Sequence, residues 1–154
     1  MRFPMFVELE GRKAVVFGAG TIGTRRIRAL REFGACVTVI APLVSEAVEE
    51  LGRTEEVLIE RRKADRKDLE NAFLVVAATD DREVNHQIYE WCRNDGVLVN
   101  VADKKEECSF YFPGLAKAGN LTAGVCAGGK DHRLAKQAAE DIRRLFKERY
   151  EDKE

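Results

Sequence analysis

Gly18, Gly20 and Gly23 stand at Gly-x-Gly-x-x-Gly spacing, directly behind the apolar run Ala14-Val-Val-Phe17 and directly ahead of a helical pattern. That order suits a ligand with a pyrophosphate. Gly18 permits a tight strand-to-helix turn, Gly20 lets the backbone approach the pyrophosphate with no side chain between, and Gly23 lets the helix lie close to a sheet. The amides of Thr21 and Ile22 then point at the phosphates, with the positive end of the helix dipole behind them. Further along, Thr79 and Asp80 follow a second apolar run, and Asn100 and Asp103 close a third. A carboxylate at the position of Asp103 can take up a proton while hydride leaves a substrate for a nicotinamide. Its bland alternative is to cap the loop it stands in.

The elements that must position these residues alternate strand and helix, the pattern of a parallel sheet covered on both faces. Strands are expected over Lys13–Phe17, Cys36–Ala41, Val57–Arg61, Phe73–Ala78 and Val97–Val101, with Pro42 ending the second. Helices are expected over Ile22–Phe33, Ser45–Leu51 and Lys67–Ala72, and from a cap at Thr79, Asp80 and Asp81 through Trp91. The fold class is α/β: a Rossmann-type parallel sheet with helices on both faces, followed by a small strand-plus-helix tail. Residues 1–108 read as the dinucleotide-binding domain and 109–154 as a segment for dimerisation and substrate contact.

In that tail, Ser109–Phe112 reads as a strand closed by Pro113, Leu121–Val125 as another, and Gly128-Gly129 as a turn before a helix from Asp131 to Tyr150. Leu134, Ala138, Ile142, Leu145 and Phe146 share one face of this helix. Two strands and one amphipathic helix bury little alone, so the tail is expected to pack on a second subunit, giving a homodimer. Glu148–Glu154 reads as a frayed polar end.

The 26 basic and 27 acidic side chains nearly cancel, so no global field draws nucleic acid or a membrane surface, and charged ligands must be met locally. The N-terminus lacks a signal-peptide core and no apolar run reaches membrane-spanning length, which predicts a cytoplasmic protein. Cys36, Cys92, Cys108 and Cys126 are scattered without a Cys-x-x-Cys pair, as reduced structural thiols would be, and no metal site is expected.

Ligands of open α/β sheets sit beyond the carboxyl ends of the strands. Those ends deliver Gly18–Gly23, then Pro42 and Leu43, then Thr79 and Asp80, then Asn100 and Asp103. The second strand ends in Ala41-Pro42, where an acidic ribose ligand is usual, and no arginine is there to meet a 2′-phosphate. NAD is therefore expected rather than NADP, with the Pro42-Leu43 backbone lining the adenosine pocket.

Several further stretches carry a resemblance across nearly the whole chain. Phe3-Pro4-Met5-Phe6, Gly18 through Arg26, Ala77-Ala-Thr-Asp-Asp81, Asn100-Val-Ala-Asp103, Ser109-Phe110 with Pro113, and Gly128-Gly129-Lys130 resemble the precorrin-2 dehydrogenase family. That family includes the N-terminal module of siroheme synthase and bifunctional dehydrogenase and ferrochelatase proteins. The resemblance implies NAD-dependent oxidation of precorrin-2 to sirohydrochlorin on the way to siroheme or a related tetrapyrrole, with Asp103 as general base and as an aid in metal insertion.

Precorrin-2 is fringed with carboxylates, so its site needs fixed cations. Arg25, Arg26 and Arg28 follow the glycine loop; Lys104 and Lys105 follow Asp103; Lys130, His132 and Arg133 follow the second glycine pair. Asn100, Lys104, Lys105, Ser109, Lys130 and His132 are the expected substrate contacts, and His86 is read as structural. Lys130-Asp-His-Arg133 stands where relatives carry a serine-proline pair, Cys126 and Ala127 replace small hydroxyl positions, and fuller relatives continue past the equivalent of Glu154. Iron insertion is thus a less direct expectation than dehydrogenation. Two alternatives accompany the dehydrogenase reading: an enzyme that also inserts iron, and a non-catalytic NAD-sensing module.

Overall fold

The computed structural model describes residues 3–54, 57–128 and 131–150. These divide into two compact units, 7–110 and 3–6 together with 111–150.

The first unit is built on five parallel strands. They are β1 (Lys13–Ala19), β2 (Cys36–Val44), β3 (Val57–Glu60), β4 (Leu74–Ala77) and β5 (Leu98–Val101), in the spatial order β3-β2-β1-β4-β5. The central β1 and β4 are apolar and buried almost throughout, as strands covered on both faces must be. The helices α1 (Thr21–Glu32), α2 (Glu46–Arg53) and α3 (Arg82–Asp95) flank the sheet. From β1 the chain steps outward to β3, then returns to β4 beside β1 and steps the other way. Right-handed crossovers therefore put α3 on the face opposite α1 and α2, and the reversal leaves a crevice between the carboxyl ends of β1 and β4.

Ile27 and Leu30 of α1, Val48 of α2, and Ile88 and Cys92 of α3 bury against the sheet beside Phe17, Val39 and Val75. Burial pushes the Cys92 thiol up to about 12, so it acts as a small apolar side chain. α3 stops at Gly96, whose φ of +69° is the left-handed C-cap conformation glycine favours. The expected helix over Lys67–Ala72 is a single 3-10 turn, Arg66–Leu69. Its capping box closes Asp65 and Asp68 on the turn's own amides, and the backbone leaves helical geometry at Glu70 (ψ 123°) and Asn71 (φ +59°).

Two expected strand limits are corrected. Pro42 does not end β2: pairing resumes at Ala19 with Val44 after Phe17 with Ile40, so three β2 residues stand opposite one β1 residue. A bulge tolerates a residue with no N–H to give, which is how Pro42 remains inside the strand. No strand forms over Ser109–Phe112. Ser109 instead hydrogen-bonds the β5 edge through its amide to the Val99 oxygen at 2.9 Å, and its Oγ accepts from the Val99 amide at 2.7 Å.

In the second unit the first strand of the hairpin is β6 (Gly114–Ala118), pairing antiparallel with β7 (Leu121–Val125). Ala118 faces Leu121 across the two-residue turn Gly119-Asn120, with Gly119 at φ +52°. That is a hairpin signal legible in the residues themselves. The helix α4 (His132–Tyr150) packs on the hairpin at Gly114, where an added Cβ would lie 2.7 Å from the Ala135 carbonyl oxygen. Arg143 donates to the Leu115 carbonyl at 2.5 Å, and Ala139 is buried. Of the expected apolar face, Ala138, Ile142 and Phe146 are half-buried, whereas Leu134 and Leu145 remain exposed. Among the described residues no helix is long and apolar enough to cross a membrane.

Candidate active site

The three glycines of the fingerprint have different reasons to be glycine. Gly18 has φ +101°, and a Cβ there would collide with the Ala78 carbonyl. A Cβ on Gly23 would collide with the Gly18 carbonyl oxygen. Both are demanded by the chain's own packing. Gly20 is different: nothing of the chain lies within 4 Å of where its Cβ would be. The space beside it is open, and its own fold gives no reason to keep it bare.

Gly20 is also the N-cap of α1, where no side chain caps the helix and the first turn holds no acidic residue. The first-turn amides, Thr21 and Ile22 among them, have no acceptor inside the helix, so the positive end of α1 faces solvent unneutralised. Thr24 Oγ1 donates to the Gly20 carbonyl at 2.9 Å and steadies the turn. An anionic pyrophosphate fits this arrangement of bare backbone, open amides and absent competing carboxylates. At the end of β2, Pro42 is exposed and Leu43 is 88% exposed, an apolar surface beside the glycine turn.

On the other side of the crevice Thr79 is tied to α3 by a residue the sequence reading missed. Asn85, fully buried, accepts from the Thr79 amide at 3.0 Å and hydroxyl at 2.7 Å, and its Nδ2 donates to the Thr79 carbonyl at 3.1 Å. Asn85 shares the buried face of α3 with Ile88 and Cys92, and an amide among apolar neighbours was the available signal that it had a dedicated partner. The Thr79 hydroxyl also lies 3.0 Å from the Asp81 carbonyl, so this side chain is spent within its own loop. Asp80 stands exposed at the tip, and the helix cap is Asp81, which accepts from the Glu83 and Val84 amides at 2.9 and 3.3 Å.

Asp103 follows β5, where the Ala102 amide donates to the Ala77 carbonyl at 2.9 Å and carries the sheet's pairing past the strand end. Asp103 is exposed, and its Oδ1 receives Arg82 Nη1 at 2.7 Å. Arg82 Nη2 donates to Glu107, whose other oxygen lies 3.1 Å from His86 Nδ1. The hydrogen bond from Arg82 to Glu107, then the charge of Asp103, hold the guanidinium above its ordinary value. Arg82, Glu107 and His86 had no expected place in the site. Arg82 carried one signal: a cation in the first turn of a helix works against the dipole, so its partners must lie elsewhere.

Asn100 is buried, and its Nδ2 donates to the Phe110 carbonyl at 3.0 Å. Cys108 Sγ accepts from the Val101 amide at 3.2 Å, so Cys108 and Ser109 together close the free edge of β5. Lys104 and Lys105 are exposed beside Asp103, and Lys105 lies 3.9 Å from Glu106. Arg25 and Arg28 are exposed, whereas burial and then the charge of Arg25 push Arg26 down to about 10, still charged at neutral pH. His132, the first residue of α4, belongs to the second unit and is exposed; Lys130 lies outside the described residues.

Known proteins resemble this chain along its length. A family model described as "Putative NAD(P)-binding" matches residues 5–114. A multifunctional siroheme biosynthesis protein from Ruminiclostridium josui is 39% identical over 94% of the chain, which spans 28% of that longer protein. A precorrin-2 dehydrogenase from Priestia megaterium is 33% identical over 96% of the chain and 73% of its own length. Among solved structures, the precorrin-2 dehydrogenase SirC superimposes with a TM-score of 0.84 at 32% identity, over 97% of this chain and 74% of that one.

Proposed function

The chain belongs to the NAD(P)-binding family of precorrin-2 dehydrogenases, and from that premise we propose that it oxidises precorrin-2 to sirohydrochlorin with NAD as acceptor. The observation that carries this reading is the bare, open Gly20 at an uncapped helix N-terminus, in a crevice whose far wall ends in Asp103. Bound in that crevice, the nicotinamide supplies the acceptor for a hydride from the tetrapyrrole.

The chain's own residues do the rest. Gly18, Gly20 and Gly23 with the amides of Thr21 and Ile22 hold the pyrophosphate, Pro42 and Leu43 line the adenosine, and Thr79 and Asp80 border the nicotinamide half. Asp103 takes the proton released as hydride leaves the substrate, so one C–H pair of electrons goes to the cofactor and one proton to the carboxylate. Lys104 and Lys105, beside Asp103, meet substrate carboxylates; Lys130 and, in the second unit, His132 are proposed as carboxylate contacts in their own right. Asn100 and Ser109 serve the same site by shaping the loop after β5, a role supported by their inward hydrogen bonds. The preference for NAD over NADP rests on Ala41-Pro42-Leu43, which offers no cation to a 2′-phosphate.

The same reading includes a homodimer formed through residues 109–154, supported by Leu134 and Leu145, 60% and 41% exposed on α4. It also includes residence in the cytoplasm, supported by the four scattered thiols. Anaerobic incubation of the purified chain with precorrin-2 and either NAD or NADP tests the proposal. One NADH per sirohydrochlorin, with NADP used poorly, supports it; nucleotide binding without turnover overturns it in favour of a sensing module.

A further inference from the structure

Arg82 opens α3, where the helix dipole disfavours a cation, yet its guanidinium is gripped from two sides. Nη1 donates to Asp103 Oδ1 at 2.7 Å and Nη2 donates to Glu107. Glu107 is held from its other oxygen by His86 Nδ1 at 3.1 Å, one helical turn beyond Arg82. The same helix is locked by Asn85 to Thr79 on the loop after β4. Asp103 is thereby tied, through one forked side chain, to the helix that also fixes the Thr79 loop on the same wall of the crevice.

From this geometry we infer that Arg82 is a positioning residue for Asp103: it orients the carboxylate through Oδ1 and leaves Oδ2 to receive the proton. The inference rests on the reading of Asp103 as proton acceptor. Glu107 has a defined part in it. With two carboxylates on one guanidinium the triad carries one excess negative charge, which a single proton on Asp103 cancels. Glu107 also keeps Arg82 in place when Asp103 becomes neutral. Further charged or titratable groups close by in the chain are Asp81, Glu83 and His86 at the start of α3 and Lys104, Lys105 and Glu106 in the turn after β5. Lysine could keep the charge at position 82 but could not span both carboxylates as a planar fork does.

The test compares the full chain with Arg82→Met, Arg82→Lys and Asp103→Asn, following NADH formation from precorrin-2. Arg82→Met is expected to lower kcat on the order of 10–100-fold, the cost of a misplaced group, with KM for NAD little changed. Arg82→Lys should recover part of the lost kcat. Wild-type kcat in Arg82→Met would overturn the inference, provided Asp103→Asn is inactive. If Asp103→Asn turns over like wild type, the proton-acceptor reading fails instead. A crystal structure of Arg82→Met then decides the positioning role without any turnover: an Asp103 carboxylate turned away from its wild-type orientation supports it, and an unmoved carboxylate overturns it.

Discussion

Asn85 Oδ1 accepts two hydrogen bonds from Thr79, from the amide at 3.0 Å and from the hydroxyl at 2.7 Å, and Asn85 Nδ2 returns one to the Thr79 carbonyl at 3.1 Å. One buried amide thus sets the loop after β4 against Gly18, whose missing side chain makes room for the Ala78 carbonyl. Asn85→Ala strands the Thr79 amide and carbonyl. The expected cost is about 1–3 kcal/mol of stability, with weaker nucleotide binding, measured by urea unfolding and by titration with NAD. Unchanged stability would show that the loop is held by other means.

Gly18→Ala and Gly20→Ala should separate fold from function. The first forces a Cβ onto a backbone carbonyl at φ +101° and is expected to cost about 2–3 kcal/mol. The second places a Cβ in open space, so stability should stay within about 1 kcal/mol of wild type while NAD affinity falls. Equal losses of stability in the two variants would remove the distinction.

Much of this arrangement was legible in the residues. The glycine loop, the apolar β1 and β4, and Asp103 after β5 follow from spacing and periodicity, because backbone turns and buried strands leave local marks. Partners distant in sequence leave fewer. Arg82 and Glu107 look like any two surface charges until the turn after β5 brings them together. Ser109–Phe112 has strand composition, but the Ser109 hydroxyl takes the place of a ladder bond at the β5 edge. Pro42 looked like a stop because a bulge that excuses its missing N–H shows only in the register with β1.

Asp68 gives the fold a pH dependence. Burial alone would raise its carboxyl, but Arg62 at 2.6 and 2.9 Å and the Asp65 amide at 2.8 Å outweigh burial and hold it below the usual carboxylate range. A depressed folded-state value adds stability above the unfolded value, near about 4, and that contribution is lost as pH falls through the folded value. Asp68→Asn should therefore cost about 1–3 kcal/mol at neutral pH, with the gap to wild type closing in acid. Denaturant unfolding at several pH values checks this; a gap that does not narrow would contradict it.

Leu145→Glu tests the pairing proposed for α4. Leu145 is exposed on its own unit, so the change should leave monomer stability within about 0.5 kcal/mol while shifting sedimentation from dimer to monomer. A wild-type chain that sediments as a monomer would contradict the dimer reading.

The proposed NAD-dependent oxidation of precorrin-2 makes Asp103, at the end of β5, the proton acceptor. Its most direct test is anaerobic turnover of wild type and Asp103→Ala side by side, reading sirohydrochlorin and NADH absorbance together. Equimolar products from wild type, with a rate at least about 10²-fold lower from Asp103→Ala and unchanged NAD binding, is the predicted result. Comparable turnover by the two proteins would contradict it.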